Sequence, residues 1–174
     1  MVKIEINENP IYKIAAEISN NDTAVLEEVD ECLSNTEKYF SEHEEEYGER
    51  DVTYDDGKEV VQWLGMVDIL QKNNYVCERD YKDELEDFLY FMQELKGVKN
   101  NHLPLDEDWF DEDEEITDWC GIIDSKWVSQ DMCVAAIDID SDSYVMFPCN
   151  TNVLQKLSHY ADMTEYRIAH ACDM

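Results

Sequence analysis

The amino-acid sequence predicts an α+β fold: a small, largely antiparallel sheet packed against several helices, with a helical N-terminal third. Apolar residues recur at intervals of three and four through that third, the spacing of helices with one buried face. The segment MCVAAIDIDSDSYVMFPC (132–149) instead reads as two strands around a tight turn, and its first strand is apolar on both faces, as a central strand must be. With five Gly, three Pro and no repeat or low-complexity linker, the 174 residues are expected to form a single domain over 1–174. Within it a helical part spans 1–50 and an α+β core spans 58–174.

Each element has a local signature. Lys3 to Ile6 alternates and is expected as a short edge strand. Asn9-Pro10 opens a helix, Asn as cap and Pro in the first turn, with Ile11, Ile14, Ala15 and Ile18 as its inner stripe. Asp22 caps a second, longer helix that turns Val25, Val29, Leu33, Phe40 and Tyr47 inward. Its outer face holds Glu27, Glu28, Asp30, Glu31 and the run SEHEEEYGER (41–50). After a loop about Asp55-Asp56-Gly57 comes the clearest helix, Lys58 to Lys72, with Val60, Trp63, Leu64, Val67 and Leu70 on one broad face.

A strand follows at Tyr75 to Asp80. Asp83 and Glu86, at capping-box spacing, then open a helix over Glu84 to Lys96 that buries Leu85, Phe88, Leu89, Met92 and Leu95, with Gly97 placed to stop it. The stretch VKNNHLPLDEDWFDEDEE (98–115) is an irregular connection. A helix from Glu114 to Trp127 carries Ile116, Trp119, Cys120, Ile123 and Trp127 on one side. Beyond the hairpin, Asn150 and Thr151 cap a helix bearing Val153, Leu154, Leu157 and Tyr160, and a last strand, Tyr166 to Cys172, completes the sheet.

Composition narrows the function. A hydrophobic fraction of 44% and an aromatic fraction of 11% supply a real core and exclude a disordered acidic tail. Forty-three acids against thirteen bases leave a formal charge of -30, a self-repulsion that costs the folded state stability. Halophilic adaptation would shed large apolar side chains, yet four Trp and ten Tyr remain. A cationic partner is the more economical explanation. Nucleic acid and anionic membrane surfaces carry the same sign as the protein and are excluded as direct partners. The six cysteines (32, 77, 120, 133, 149, 172) form no Cys-x-x-Cys pair and no Cys/His group, so they read as small buried hydrophobes in a reducing compartment. MVKIEINENP has no secretion signal and no stretch approaches a membrane span, so a cytoplasmic protein is expected.

Motifs for chemistry are sparse. In DIDSD, Asp138, Asp140 and Asp142 alternate as the first ligands of a calcium loop do. Such a loop needs Gly at its sixth position and Glu at its twelfth, where this chain has Ser143 and Cys149. A hairpin turn whose Asp and Ser side chains bond local backbone accounts for the same residues. His43, His102, His159 and His170 are scattered, outside any His-Glu-x-x-His motif. No Ser sits in a Gly-x-Ser-x-Gly elbow, no glycine-rich phosphate loop occurs, and no carboxylate pair stands out from the rest. An enzyme is not expected, and no cofactor is implied.

The acidic faces remain. DEDWFDEDEE (106–115) wraps eight carboxylates around two large rings, and no Lys or Arg lies between Lys99 and Lys126. Asp106, Glu107, Asp108, Asp111, Glu112, Asp113, Glu114 and Glu115 are the candidate partner-binding acids, with Trp109 and Phe110 as candidate anchors. Charges at a rim speed encounter with a basic partner, and aromatics at its centre slow dissociation. In the other reading a solvated acidic loop is pinned to the core by the same two rings.

YVCERDYKDELEDFLYFMQEL (75–95) and AAIDIDSDSYVMFP (135–148) together resemble an uncharacterised bacterial domain family. In that family an Asp-aromatic-Lys-Asp step leads into an amphipathic helix, and a later Asp-x-Asp-Ser-Asp-Ser-Tyr hairpin closes the sheet. The likeness covers roughly the C-terminal two-thirds, and Tyr81 stands where Trp is expected. The family brings no assigned activity. In size, charge and lack of catalytic motifs the chain also resembles the immunity proteins of bacterial toxin systems, contact-dependent inhibition among them. That resemblance implies an immunity protein that occludes the active site of a basic toxin domain, commonly a nuclease, with carboxylates where substrate phosphates would sit. A nucleic-acid mimic, such as an anti-restriction or anti-CRISPR protein, shares the charge logic. A stand-alone domain of unknown function, binding a metal through Asp138, Asp140 and Asp142, is the third expectation.

Overall fold

Asn9 and Asp22 begin helices where their side chains can take over orphan backbone N–H groups, and both do so. In the computed structural model, which describes residues 6–174, Asn9 Oδ1 accepts from Ile11 N–H at 2.9 Å and Asp22 Oδ1 from Ala24 N–H at 3.0 Å. They open α1 (Pro10–Ile18) and α2 (Thr23–Ser34). The edge strand expected over Lys3 to Ile6 lies outside the described residues except for Ile6, which is helical. The chain forms two compact units, Met1–Asn73 and Asn74–Met174.

The first unit is helical. The single long helix expected beyond Asp22 is three: α2, α3 (Thr36–Glu42) and α4 (Glu44–Glu49). Asn35 and His43 leave the helical region, with φ -134° and -126°, and break the run twice. After the first break the Thr36 hydroxyl donates to Cys32 O at 2.9 Å and receives Gln62 Nε2 at 2.8 Å, so the corner is closed by buried hydrogen bonds. A short 3₁₀ turn (Tyr54–Asp56) and Gly57, at φ 115°, lead into α5 (Lys58–Lys72). The spacing predicts one apolar face for α5, yet Val61 through Val67 are all buried. It is the central helix of this unit, packed against α1, α2 and α3, and not a part of the unit that holds the sheet.

The second unit holds the sheet: β1 (Cys77–Asp80), β2 (Met132–Ile137), β3 (Ser143–Asn150) and β4 (Ile168–His170), all antiparallel in the order β1-β3-β2-β4. β2, apolar on both faces, is central as its sequence requires. The helices are α6 (Leu85–Glu94), α7 (Lys96–Asn100), α8 (Ile116–Trp127) and α9 (Thr151–Ala161). Phe88, Met92, Trp119, Ile123 and Trp127 form one core with Cys77, Val134, Ala136 and Met146 from a single face of the sheet. Ala135, Ile137, Val145 and Phe147, which point to the opposite face, are buried too. The described residues thus contain nine α-helices and a four-stranded antiparallel sheet, an α+β fold with a helical N-terminal region.

Three local expectations change. Asp83 does not cap α6; it holds Arg79 in a two-pronged ion pair, with Nε to Oδ2 at 2.6 Å and Nη2 to Oδ1 at 2.7 Å. A charged two-point contact outcompetes one cap bond. Gly97 does not terminate α6, which ends at Glu94 with Leu95 extended; Gly97 lies within α7. There its missing side chain lets the backbone approach Pro148, since a Cβ would stand 2.5 Å from Pro148 Cγ. α8 starts at Ile116, with Glu115 and Asp118 as its capping box.

Candidate functional site

Asp106 to Glu115 form a loop that is acidic outside and apolar beneath. Its eight carboxylate residues are all exposed, and none makes an ion pair among the described residues. Their local hydrogen bonds shape the chain. Asp106 Oδ1 accepts from Asp108 N–H at 3.1 Å, starting a 3₁₀ turn (Glu107–Trp109), and Asp111 Oδ1 accepts from Asp113 N–H at 3.0 Å.

The two rings are half-buried. Phe110 packs on the core of the second unit beside Leu105. Trp109 lies 6.0 Å from Phe110, centroid to centroid, and Lys126 Nζ sits 5.1 Å above its ring. Two buried indoles complete the attachment. Trp119 Nε1 donates to Asp111 O at 2.8 Å and Trp127 Nε1 to Pro104 O at 2.7 Å. Phe110 and the two indoles thus pin this stretch to the core, Trp109 lies between Phe110 and Lys126, and like charges are held close on a fixed backbone.

Two aromatic groups that do face solvent stand on α6. Tyr90 is 60% exposed and Phe91 39%, in a T-shaped pair 5.3 Å apart, with Glu86, Asp87 and Glu94 exposed on the same helix. Arg79 lies 4.0 Å above the Phe91 ring. A signal for them is legible in FLYFM (88–92): one helix face can bury only Leu85, Phe88, Leu89 and Met92, which leaves Tyr90 and Phe91 outside.

The hairpin loop 138–142 behaves as turn chemistry requires. Asp138 Oδ1 accepts from Asp140 N–H at 2.8 Å, Ser141 Oγ from Ser143 N–H at 3.1 Å, and Asp140 takes φ 55°. Among the described residues no three His, Cys, Asp or Glu side chains converge as a metal site, so Asp138, Asp140 and Asp142 are not drawn into one.

One polar cluster has no sequence signature. Asp124 on α8 accepts from Val134 N–H of β2 at 2.7 Å. Its Oδ2 lies 3.3 Å from His170 Nδ1, close but poorly aligned for a hydrogen bond, and 3.7 Å from the Cys172 thiol. Burial raises the Asp124 carboxyl above its ordinary value, and it raises the Cys172 thiol as well. A thiol that donates to a carboxylate and titrates high is no activated nucleophile. The cluster ties α8 to β2 and to the chain after β4.

A family model described as a domain of unknown function, DUF6630, matches residues 10–171. The chain belongs to the DUF6630 family. The family thus takes in the helical first unit as well as the C-terminal two-thirds where the two motifs lie. Both motifs sit at one end of the DUF6630 sheet: Asp80 pairs with Ser143, and Tyr81 N–H donates to Asp142 O at 3.1 Å. No curated protein matches the chain. No solved structure matches it either. Among the described residues no helix is long and apolar enough to cross a membrane.

Proposed function

We propose that this DUF6630 protein binds and neutralises a basic protein, acting as an immunity protein whose carboxylates cover the active site of a cationic toxin domain, a nuclease above all. The observation that carries the reading is the 106–115 loop: eight exposed carboxylates without a basic partner, on a backbone fixed from beneath by Phe110, Trp119 and Trp127. Leaving such charges uncompensated costs stability, and a fixed array loses little freedom when a cationic surface docks. A nuclease must hold a polyanion, so fixed carboxylates compete with its substrate. On this reading Tyr90 and Phe91 supply the exposed anchors, because Phe110 is turned onto the core and Lys126 lies over the Trp109 ring. The protein has no catalytic role of its own.

The test is a pull-down of the tagged full chain from its host at low and then high salt, followed by stopped-flow association with the captured protein. A basic protein that salt releases, and whose nuclease activity this chain inhibits, supports the reading. Its association rate should fall steeply with ionic strength. Capture of a restriction or CRISPR component would favour nucleic-acid mimicry. An association rate indifferent to salt would overturn electrostatic capture.

A further inference from the structure

The exposed aromatics of α6 stand beside an arrangement that the protein already uses to hold one arginine. Arg79 forks onto Asp83, with Nε to Oδ2 at 2.6 Å and Nη2 to Oδ1 at 2.7 Å, and its guanidinium carbon lies 4.0 Å from the centroid of the Phe91 ring. A carboxylate for its N–H groups and an aromatic ring for its flat face are the two things a guanidinium binds best. Tyr90 offers the same two parts one position further round the helix. It meets Phe91 in a T-shaped contact at 5.3 Å, which covers at most one face of its ring, and it is 60% exposed. Glu86 and Asp87 stand four and three residues before it, both exposed. Helical side chains lean toward the helix N-terminus, so the Tyr90 ring leans toward that pair of carboxylates. One turn beyond Tyr90, Glu94 already holds a cation, Lys99, at 2.8 Å.

An aromatic surface rimmed by acids selects its occupant by charge. A second copy of this chain would bring a formal charge of -30 against the same sign. An apolar segment alone would strip water from the carboxylates without pairing them. A lysine would pair with a carboxylate as a compact, strongly hydrated charge and would gain less from the ring. We infer that the outer face of α6 seats an arginine of the basic partner, its guanidinium stacked on the open face of Tyr90 and paired with the Glu86 and Asp87 carboxylates. Phe91, with Arg79 over its own ring, backs Tyr90 from the side. The inference rests on the proposed function for the partner and adds the side chain that the partner must present.

The test is NMR on the full chain, read at the backbone amides and the aromatic rings. The probes are acetyl-Gly-Arg-Gly-amide and its lysine counterpart, each added at low ionic strength to roughly ten-millimolar concentration. The arginine peptide should shift the Tyr90 ring and the amides of Glu86–Glu94 saturably. It should bind about threefold or more tightly than the lysine peptide, which carries the same charge. Tyr90→Phe should keep that preference, and Tyr90→Leu should lose it with an unchanged melting temperature, since the side chain stands largely in solvent. The inference is overturned if the arginine peptide leaves the Tyr90 ring unshifted, if the lysine peptide binds as tightly, or if Tyr90→Leu still prefers arginine. The pull-down separates this inference from the proposed function. A captured basic protein that leaves Tyr90→Leu no faster than the wild type overturns the arginine seat and leaves the proposed function standing. An arginine peptide seated on Tyr90, with no basic protein captured, overturns the proposed function and leaves the seat.

Discussion

Replacing Trp119 with Phe should loosen the acidic loop while leaving the protein folded. Trp119 is 1% exposed, tilts against Phe88 with ring centroids 5.2 Å apart, and donates Nε1–H to Asp111 O at 2.8 Å. Phe keeps the ring contact but removes the donor and part of the buried surface. An acceptor stranded without its partner costs about 1–3 kcal/mol. The lost ring atoms and the void they leave add roughly 1–2 kcal/mol, less than a full truncation to Ala. The sum, about 2–5 kcal/mol, does not exceed the lower end of the roughly 5–15 kcal/mol that holds a typical domain together. Urea unfolding followed by far-UV circular dichroism measures the cost, and amide exchange locates it. Protection should fall first over Asp111 to Glu115, because the carbonyl that anchors them is released. A change below about 0.5 kcal/mol, with exchange across the loop unaltered, would refute the claim that the indole fixes it.

Four further outcomes follow from the same geometry. Converting Asp111, Glu112, Asp113 and Glu114 to their amides should leave stability level or slightly raised, because exposed like charges are removed, and should slow capture of a basic partner; a loss of folding would contradict the placement of these side chains in solvent. Gly97→Ala gains up to about 1 kcal/mol of helix propensity but meets Pro148, at a cost of about 1–3 kcal/mol, so a lower melting temperature is expected and a higher one would count against that contact. Burial pushes the Cys32, Cys77 and Cys133 thiols up to about 12; at pH 8 a disulfide reagent should therefore reach Cys172 alone until unfolding exposes the five buried cysteines, and rapid labelling of the native protein at several sites would be inconsistent with this core. Burial also raises the Asp124 carboxyl, outweighing the lowering by Val134 N–H, His170 and Cys172, so the folded state binds this proton more tightly than the unfolded chain. That contribution is complete below the ordinary carboxylate pKa and is lost as pH rises through the raised one; Asp124→Asn, which keeps an oxygen for Val134 N–H, should remove this part of the pH dependence, and an unchanged profile would show that Asp124 does not titrate in this way.

Much of the fold is legible along the chain because its causes lie within a few residues of each other. Asn9, Asp22 and Asn150 cap helices through bonds spanning two residues, and 138–142 turns because Asp and Ser side chains bond backbone N–H groups nearby. The breaks at Asn35 and His43 were hidden because apolar residues keep helical spacing across them, while the hydrogen bonds that settle Thr36 come from α2 and α5. The candidate site divides in the same way. That the 106–115 acids are exposed follows from their charge, whereas the burial of Phe110 depends on a core assembled from distant elements.

The sequence by itself determined the class of fold, the central place of β2, the surplus of negative charge and the shortage of catalytic motifs, since periodicity, capping and charge are local or additive properties. Only the tertiary structure decided that Trp119 and Trp127 hold the acidic loop, that Asp124 meets His170 and Cys172, and that Arg79 lies over Phe91. Those meetings depend on strand register and helix packing, which are set by burial summed over the whole core. No short stretch contains that sum.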